Sequence, residues 1–232
     1  MKEYIKGAKA GVPVIFGFIP VAIAYAVMAK QAGISAGETV FMSMAVFAGA
    51  AQMMACGMYA QGAGVAAIVL TSFILNLRHL IMSTCVINKM KGGGMAVRLL
   101  SSFGVTDESF AIFTTQPEEH SSPAFFLGLI SVTYSSWVGG AVIGTLVSEA
   151  LPPTISSSLG IALYAMFIVL LVPGLRGNLR LGLLVALTAV INSVLSLLMS
   201  SSWALIAATL LCAFLGVFFV ELDEEKEDAH EA

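Results

Sequence analysis

Charge is what this chain has least of. Asp, Glu, Lys and Arg make up 11% of its 232 residues, against about 25% in an ordinary soluble domain. Apolar residues make up 58%, and the mean hydropathy is +0.94. So few charges cannot cover a water-soluble surface of this size, which leaves an integral membrane protein. No basic cluster points to nucleic acid. The net charge of −3 comes from the C-terminus, where Glu221, Asp223, Glu224, Glu225, Glu227, Asp228 and Glu231 crowd together; the remainder is slightly basic. Cysteine is also scarce. Cys56, Cys85 and Cys212 lie in apolar segments, and none has C-x-x-C or Cys/His ligand spacing. They read as small hydrophobes. No metal or cofactor motif is present, and no Walker sequence that would make the chain an ATPase.

What is abundant is long apolar sequence. Segments run over 12–29, 39–59, 65–88, 101–115, 123–149, 155–173, 181–199 and 203–220. A spanning helix needs about 20 residues, so most qualify. Lys2, Lys6 and Lys9 precede the first segment as in a signal peptide, but apolar segments continue to residue 220, and the segment reads as an uncleaved helix. Segment 101–115 is short and carries Asp107 and Glu108; segment 39–59 is rich in small residues and methionine. The positive-inside rule puts the N-terminal lysines, Lys89, Lys91 and Arg98 on the cytoplasmic side, which requires an even number of crossings between them. Three segments intervene, so one, best 39–59, turns back or is a broken helix. If 101–115 does the same, Arg176 and Arg180 are also cytoplasmic and Lys30 is outside. The expected fold is an all-α polytopic membrane protein of about six to eight transmembrane helices with broken or re-entrant segments. The expected organisation is a single permease domain over 1–220 with an acidic cytoplasmic tail over 221–232. Both termini are expected in the cytoplasm. Two short echoes hint at an internal repeat: "FGFIPV" (16–21) with "LGLISV" (127–132), and "NLR" at 76–78 and 178–180. Pro20, beside Gly17, removes a backbone donor and frees the Phe16 carbonyl, so a kinked or interrupted helix is expected there.

Polar residues inside the apolar segments mark function by default. In "ILNLRHLIM" (74–82), Ser72, Asn76, His79 and Ser83 fall within an arc of about 60° on one helix face. Thr71, Arg78 and Cys85 form a second stripe; Phe73, Leu77, Leu80 and Thr84 make the opposite side. An arginine at a helix centre costs about 2.5–3.5 kcal/mol on insertion scales, so Arg78 needs a partner or an aqueous cavity. Thr106 reads as a helix cap with Asp107 and Glu108 in the first turn, and either acid would serve Arg78 as counter-ion or carry a proton. Gln52 is a neutral donor and acceptor in "AVFAGAAQMM" (45–54), where Met42, Met44, Met53 and Met54 offer an adaptable apolar lining. Two motif matches are declined and a third is kept. "GISAG" (33–37) fits a nucleophile elbow but lies in a loop between membrane helices. "GAGVAA" (62–67) lacks the preceding strand of a dinucleotide site. "GAVIG" (140–144) is a helix-packing face. The chain reads as a non-enzyme.

Taken together, "FGFIP" (16–20), "FAGAAQ" (47–52), "NLRH" (76–79) and "TDESF" (106–110) resemble the AzlC family of bacterial inner-membrane permeases for branched-chain amino acid efflux. The resemblance covers nearly the whole chain; the acidic tail is outside the family pattern. It implies export of leucine, isoleucine, valine or methionine, and a small hydrophobic AzlD-type membrane subunit as partner. The residues are compatible with that. A zwitterion with an apolar side chain needs a cation or helix N-terminus for its carboxylate, and an acid or free carbonyls for its ammonium. Gly17, Pro20, Gln52, Asn76, Arg78, His79, Asp107 and Glu108 are the candidate substrate contacts. The competing readings are a passive channel filtered by Arg78, and a membrane scaffold or intramembrane enzyme.

Overall fold

Pro20 does not interrupt the first helix. The computed structural model describes residues 1–117, 120–148 and 178–219, with residues 168, 171, 172 and 175 between. Its first element, α1 (Lys2–Gln31), runs unbroken with Pro13 and Pro20 inside it. The expected interruption is absent because the helix continues on both sides of the missing donor. There follow α2 (Ala36–Ala45), α3 (Gly49–Ala60), α4 (Val65–Lys89), α5 (Met95–Phe103), α6 (Asp107–Thr114), α7 (Pro123–Val147), α8 (Leu179–Leu198) and α9 (Ser201–Phe219). Every regular element among the described residues is helical. Helices α1, α4, α7 and α8 are long and apolar enough to cross a bilayer, and Trp203–Val217 in α9 is a shorter apolar helix. The fold is therefore all-α and polytopic. Segment 155–173 lies almost wholly outside the described residues, as does the tail.

The chain forms two units, Met1–Tyr164 and Ala165–Ala232. In the second, α8 and α9 pack as an antiparallel pair, with Gly216 of α9 against Leu184 of α8. Asn178 caps α8, its Oδ1 accepting from the Leu181 amide at 2.9 Å. The second "NLR" thus caps a helix, whereas the first sits inside α4. The two copies are not equivalent in the structure, and this echo does not support a repeat.

The spine of the first unit is a parallel pair, α1 with α7. A Cβ added at Gly7 would lie 1.8 Å from the Phe125 carbonyl oxygen; at Gly140 and Gly144 it would lie 2.7 Å from the Cβ atoms of Ala22 and Ala26. Partner positions rise together along both helices, so they point the same way. The "GAVIG" glycines are the packing face expected of them, letting two backbones approach closely. Helix α4 runs opposite: Met82, Val86 and Met90 near its end join one apolar cluster with Phe125, Phe126, Leu129 and Ile130 near the start of α7.

Segments 39–59 and 101–115 are both broken helices, and each doubles back. Ser35 starts α2 beside Lys30, at the α1 C-terminal end, where both border one pocket with Thr145 and Ser148. Helix α2 descends until Met44 and Phe47 meet Tyr134. The chain turns over Val46–Ala48, and α3 returns antiparallel. Ser43 accepts from Gln52 Nε2 at 3.4 Å, and Tyr25 of α1 lies within interaction range of Ser43, Gln52 and Cys56. The second hairpin enters from the other end. Helix α5 begins beside Pro123, which touches Gly93. It climbs until Phe103 meets Tyr134, breaks at 104–106, and returns as α6, whose Phe113 packs on Phe125 and Phe126. Lys89 closes this end by donating from Nζ to the carbonyls of Thr114 and Gln116. The Lys91 amide donates to the Ser121 carbonyl at 2.8 Å, and Glu3 meets His120 at 3.1 Å. Glu3, Lys6, Lys89 and Lys91 therefore gather at one end, with Lys30 at the other. The described segments satisfy the parity that the lysines demanded.

Candidate functional site

Arg78 lies eleven residues, about 16 Å, above Lys89, and Tyr134 lies about 16 Å above Pro123. That is roughly half of a hydrocarbon core of about 30 Å. At this depth the two hairpin tips face one another across Tyr134. Its ring centroid is 5.3 Å from that of Phe47 in the first tip and 6.0 Å from that of Phe103 in the second. Each tip ends one helix and starts another. Carbonyls of α2 and α5 and amides of α3 and α6 therefore converge on one level, so both signs of partial charge are available.

The charged part of the site is built on the second tip. Thr106 caps α6: its Oγ1 accepts from the Ser109 amide at 3.2 Å, while its own amide donates to Ser109 Oγ at 2.8 Å. The Ser109 hydroxyl is 3.1 Å from the Gly104 carbonyl at the end of α5. Reciprocal capping of this kind satisfies amides that have no helical partner, which matters most where water is scarce. It sets Asp107 in the first position of α6, and Asp107 Oδ2 meets Arg78 Nη1 at 3.0 Å. The pair is not sealed: the side chains are 35% and 28% exposed, and the buried Arg78 Nε has no partner. His79 and Glu108 lie within electrostatic range of both charges. The opposite side of α4 is as the periodicity required. Phe73, Leu77 and Leu80 are exposed, whereas Ser72, Asn76, His79 and Ser83 are half-buried.

The first tip is uncharged and tightly packed. Trp137 Nε1 donates to Gln52 Oε1 at 2.9 Å, and the Tyr25 hydroxyl donates to the Thr39 carbonyl at 2.9 Å. Trp137 stacks on Tyr25 at 6.1 Å and leaves no room for a side chain at Gly49, where a Cβ would lie 2.5 Å from the indole. Gln52, 2% exposed, is thus a pin between α3, α2 and α7. The methionines do not share one lining: Met53 is fully buried and Met44 is 51% exposed. Gly17 and Pro20 lie on an exposed stripe of α1, and no hydrogen bond joins them to the Arg78–Asp107 pair.

So the structure brings Arg78, His79, Asp107 and Glu108 together, with Asn76 on the polar face beside them. It places Gln52 in the other tip. Sequence reading missed Tyr134, Trp137, Ser109 and Tyr25. The signal was available for two of them: Tyr and Trp one turn apart inside an apolar helix carry polar atoms that need partners. In "GISAG", the Ser35 hydroxyl is 2.6 Å from Glu38 Oε2 and accepts from the Glu38 amide at 3.3 Å. It is committed to capping α2.

Opposed half-helices around a charged pair at mid-depth define a polytopic membrane protein with a polar internal site, as transporters have. The model of the AzlC protein family matches residues 13–151, and the chain belongs to that family. The match lies within the first unit and includes both hairpins. An uncharacterized membrane protein of Archaeoglobus fulgidus is 37% identical over 75% of this chain and 76% of its own. The inner membrane protein YgaZ of Escherichia coli is 31% identical over 71% and 70%. The branched-chain amino acid transport protein AzlC of Bacillus subtilis is 27% identical over 69% and 63%. No solved structure matches.

Proposed function

We propose that the chain is a secondary transporter that exports branched-chain amino acids, and methionine with them, across the bacterial inner membrane, working with a small AzlD-type hydrophobic subunit. Both termini lie in the cytoplasm in this reading. The observation that carries it is the half-open Arg78–Asp107 pair at the tip of the second re-entrant hairpin. The free side of Arg78 takes the substrate carboxylate. Asp107, with Glu108 beside it, takes the ammonium, and release of the pair frees both groups for the zwitterion. The apolar side chain lies along the faces of the tips. Family membership supports transport, and one relative's name supports the substrate class.

The test is flux of labelled leucine, valine, methionine and a non-substrate in vesicles, with and without the small subunit. Arg78→Gln removes the guanidinium, and export is expected to fall to background while the protein stays in the membrane. Normal export by that variant removes Arg78 from the site. Export that never exceeds equilibration down a gradient replaces the transporter by a channel.

A further inference from the structure

Tyr134 touches both hairpin tips, and neither the charged site nor the family match assigns it a task. We propose that it is a positioning residue. It latches the tip of the first hairpin to α7 and to the tip of the second, so that the pathway does not open at both ends together. The inference rests on the transport reading for its consequence, not for the latch itself.

The hydroxyl donates to the Met44 carbonyl at 2.8 Å. Met44 lies in the last turn of α2, where carbonyls have no helical donor. At membrane depth water does not replace a lost partner freely, so this hydrogen bond holds the end of α2 in place. The ring meets Phe47 and Phe103 edge-on, at interplanar angles of 87° and 62°, and so spans the gap between the tips. One turn further along α7, Trp137 holds the start of α3 through Gln52, and both are almost fully buried. The two attachments differ in kind. Trp137 is enclosed and fixed. Tyr134 is half-buried and borders a groove of ≈ 300 Å³ lined by Leu100, Phe103, Gly104, Leu127, Ile130 and Ser131. The groove gives the ring somewhere to swing. Trp137 is therefore the pivot of the first hairpin and Tyr134 its releasable end.

The test reads tip accessibility. Cys56, Cys85 and Cys212 are replaced by alanine, and one cysteine is placed in the first tip (Val46→Cys) or the second (Ser102→Cys). Its reaction with a membrane-impermeant thiol reagent is timed. Tyr134→Phe keeps both ring contacts and loses the hydroxyl. The Val46→Cys rate is expected to rise about five- to tenfold, the population shift from losing one hydrogen bond, with the Ser102→Cys rate unchanged. Tyr134→Ala is expected to raise both. In Tyr134→Phe, an unchanged Val46→Cys rate or an equal rise at both tips overturns the latch. These rates need no transported substrate, so a failure of the latch is distinct from a failure of Arg78→Gln to stop export.

Discussion

Gln52 shows how a single polar side chain can tie three helices together. It accepts from Trp137 and donates to Ser43, in a site with almost no exposure. Gln52→Leu keeps the bulk but strands the indole N–H, and an unsatisfied buried donor costs about 1–3 kcal/mol. The expected result is a lower thermal midpoint in detergent, read by tryptophan fluorescence, with retained flux per folded molecule. A midpoint equal to that of the parent would mean that the pin is not structural. The sequence offered Gln52 and Arg78 as equals, two polar residues in apolar helices. Only their surroundings separate them, and those come from elsewhere in the chain: Trp137 of α7, 85 residues on from Gln52, and Asp107 of α6, beyond the next helix from Arg78. Local spacing carries no information about such pairs.

At the scale of the element, the break of the second hairpin is capped by a side chain, whereas α3, with Ala48 at its N-cap, has no side-chain cap. Thr106 with Asp107 and Glu108 could be read as a helix start because hydroxyl caps and first-turn acids have a local cause. That Ser109, three residues on, completes the cap follows the same logic. At Pro20 a missing donor is a local defect, and it does not end the helix because α1 continues on both sides of it. Ser35 and Glu38 give the quantitative case. The Ser35 hydroxyl, then its amide, hydrogen-bond to the Glu38 carboxylate and hold its pKa below the usual 4.5. A depressed carboxylate stabilises the folded form above its ordinary pKa, and the gain is lost as pH falls through the lower folded value. Amide exchange at residues 36–39, taken relative to the intrinsic chemical rate at each pH, is therefore expected to be slower at neutral pH than in acid. Ser35→Ala should speed it at neutral pH, since losing such a cap costs about 1 kcal/mol. Exchange indifferent to both changes would mean that the box does not hold the start of α2.

At the scale of the whole molecule, the parallel packing of α1 on α7 decides a question that hydropathy left open. The chain leaves α1 at one face and must enter α7 from the other, so an odd number of crossings lies between. With α4 as one crossing, segments 39–59 and 101–115 either both cross or both turn back. A helix of nine or ten residues rises about 14–15 Å, half of the hydrocarbon core, so α2 and α5 each reach the middle and stop. Contacts of Tyr25 with α2 and α3, and of Lys89 with the end of α6, bring each chain back to the side it entered from. Single cysteines at Gln31 and Gln61 flank the first hairpin, and cysteines at Lys91 and Thr115 flank the second. An impermeant reagent added to one face of a sealed vesicle is expected to label Gln31→Cys and Gln61→Cys together, and Lys91→Cys and Thr115→Cys from the opposite face alone. If both hairpins crossed instead, the members of each pair would react from opposite faces. The Arg78–Asp107 pair would then no longer sit at a hairpin tip, and the case for a mid-membrane binding site would fall with it.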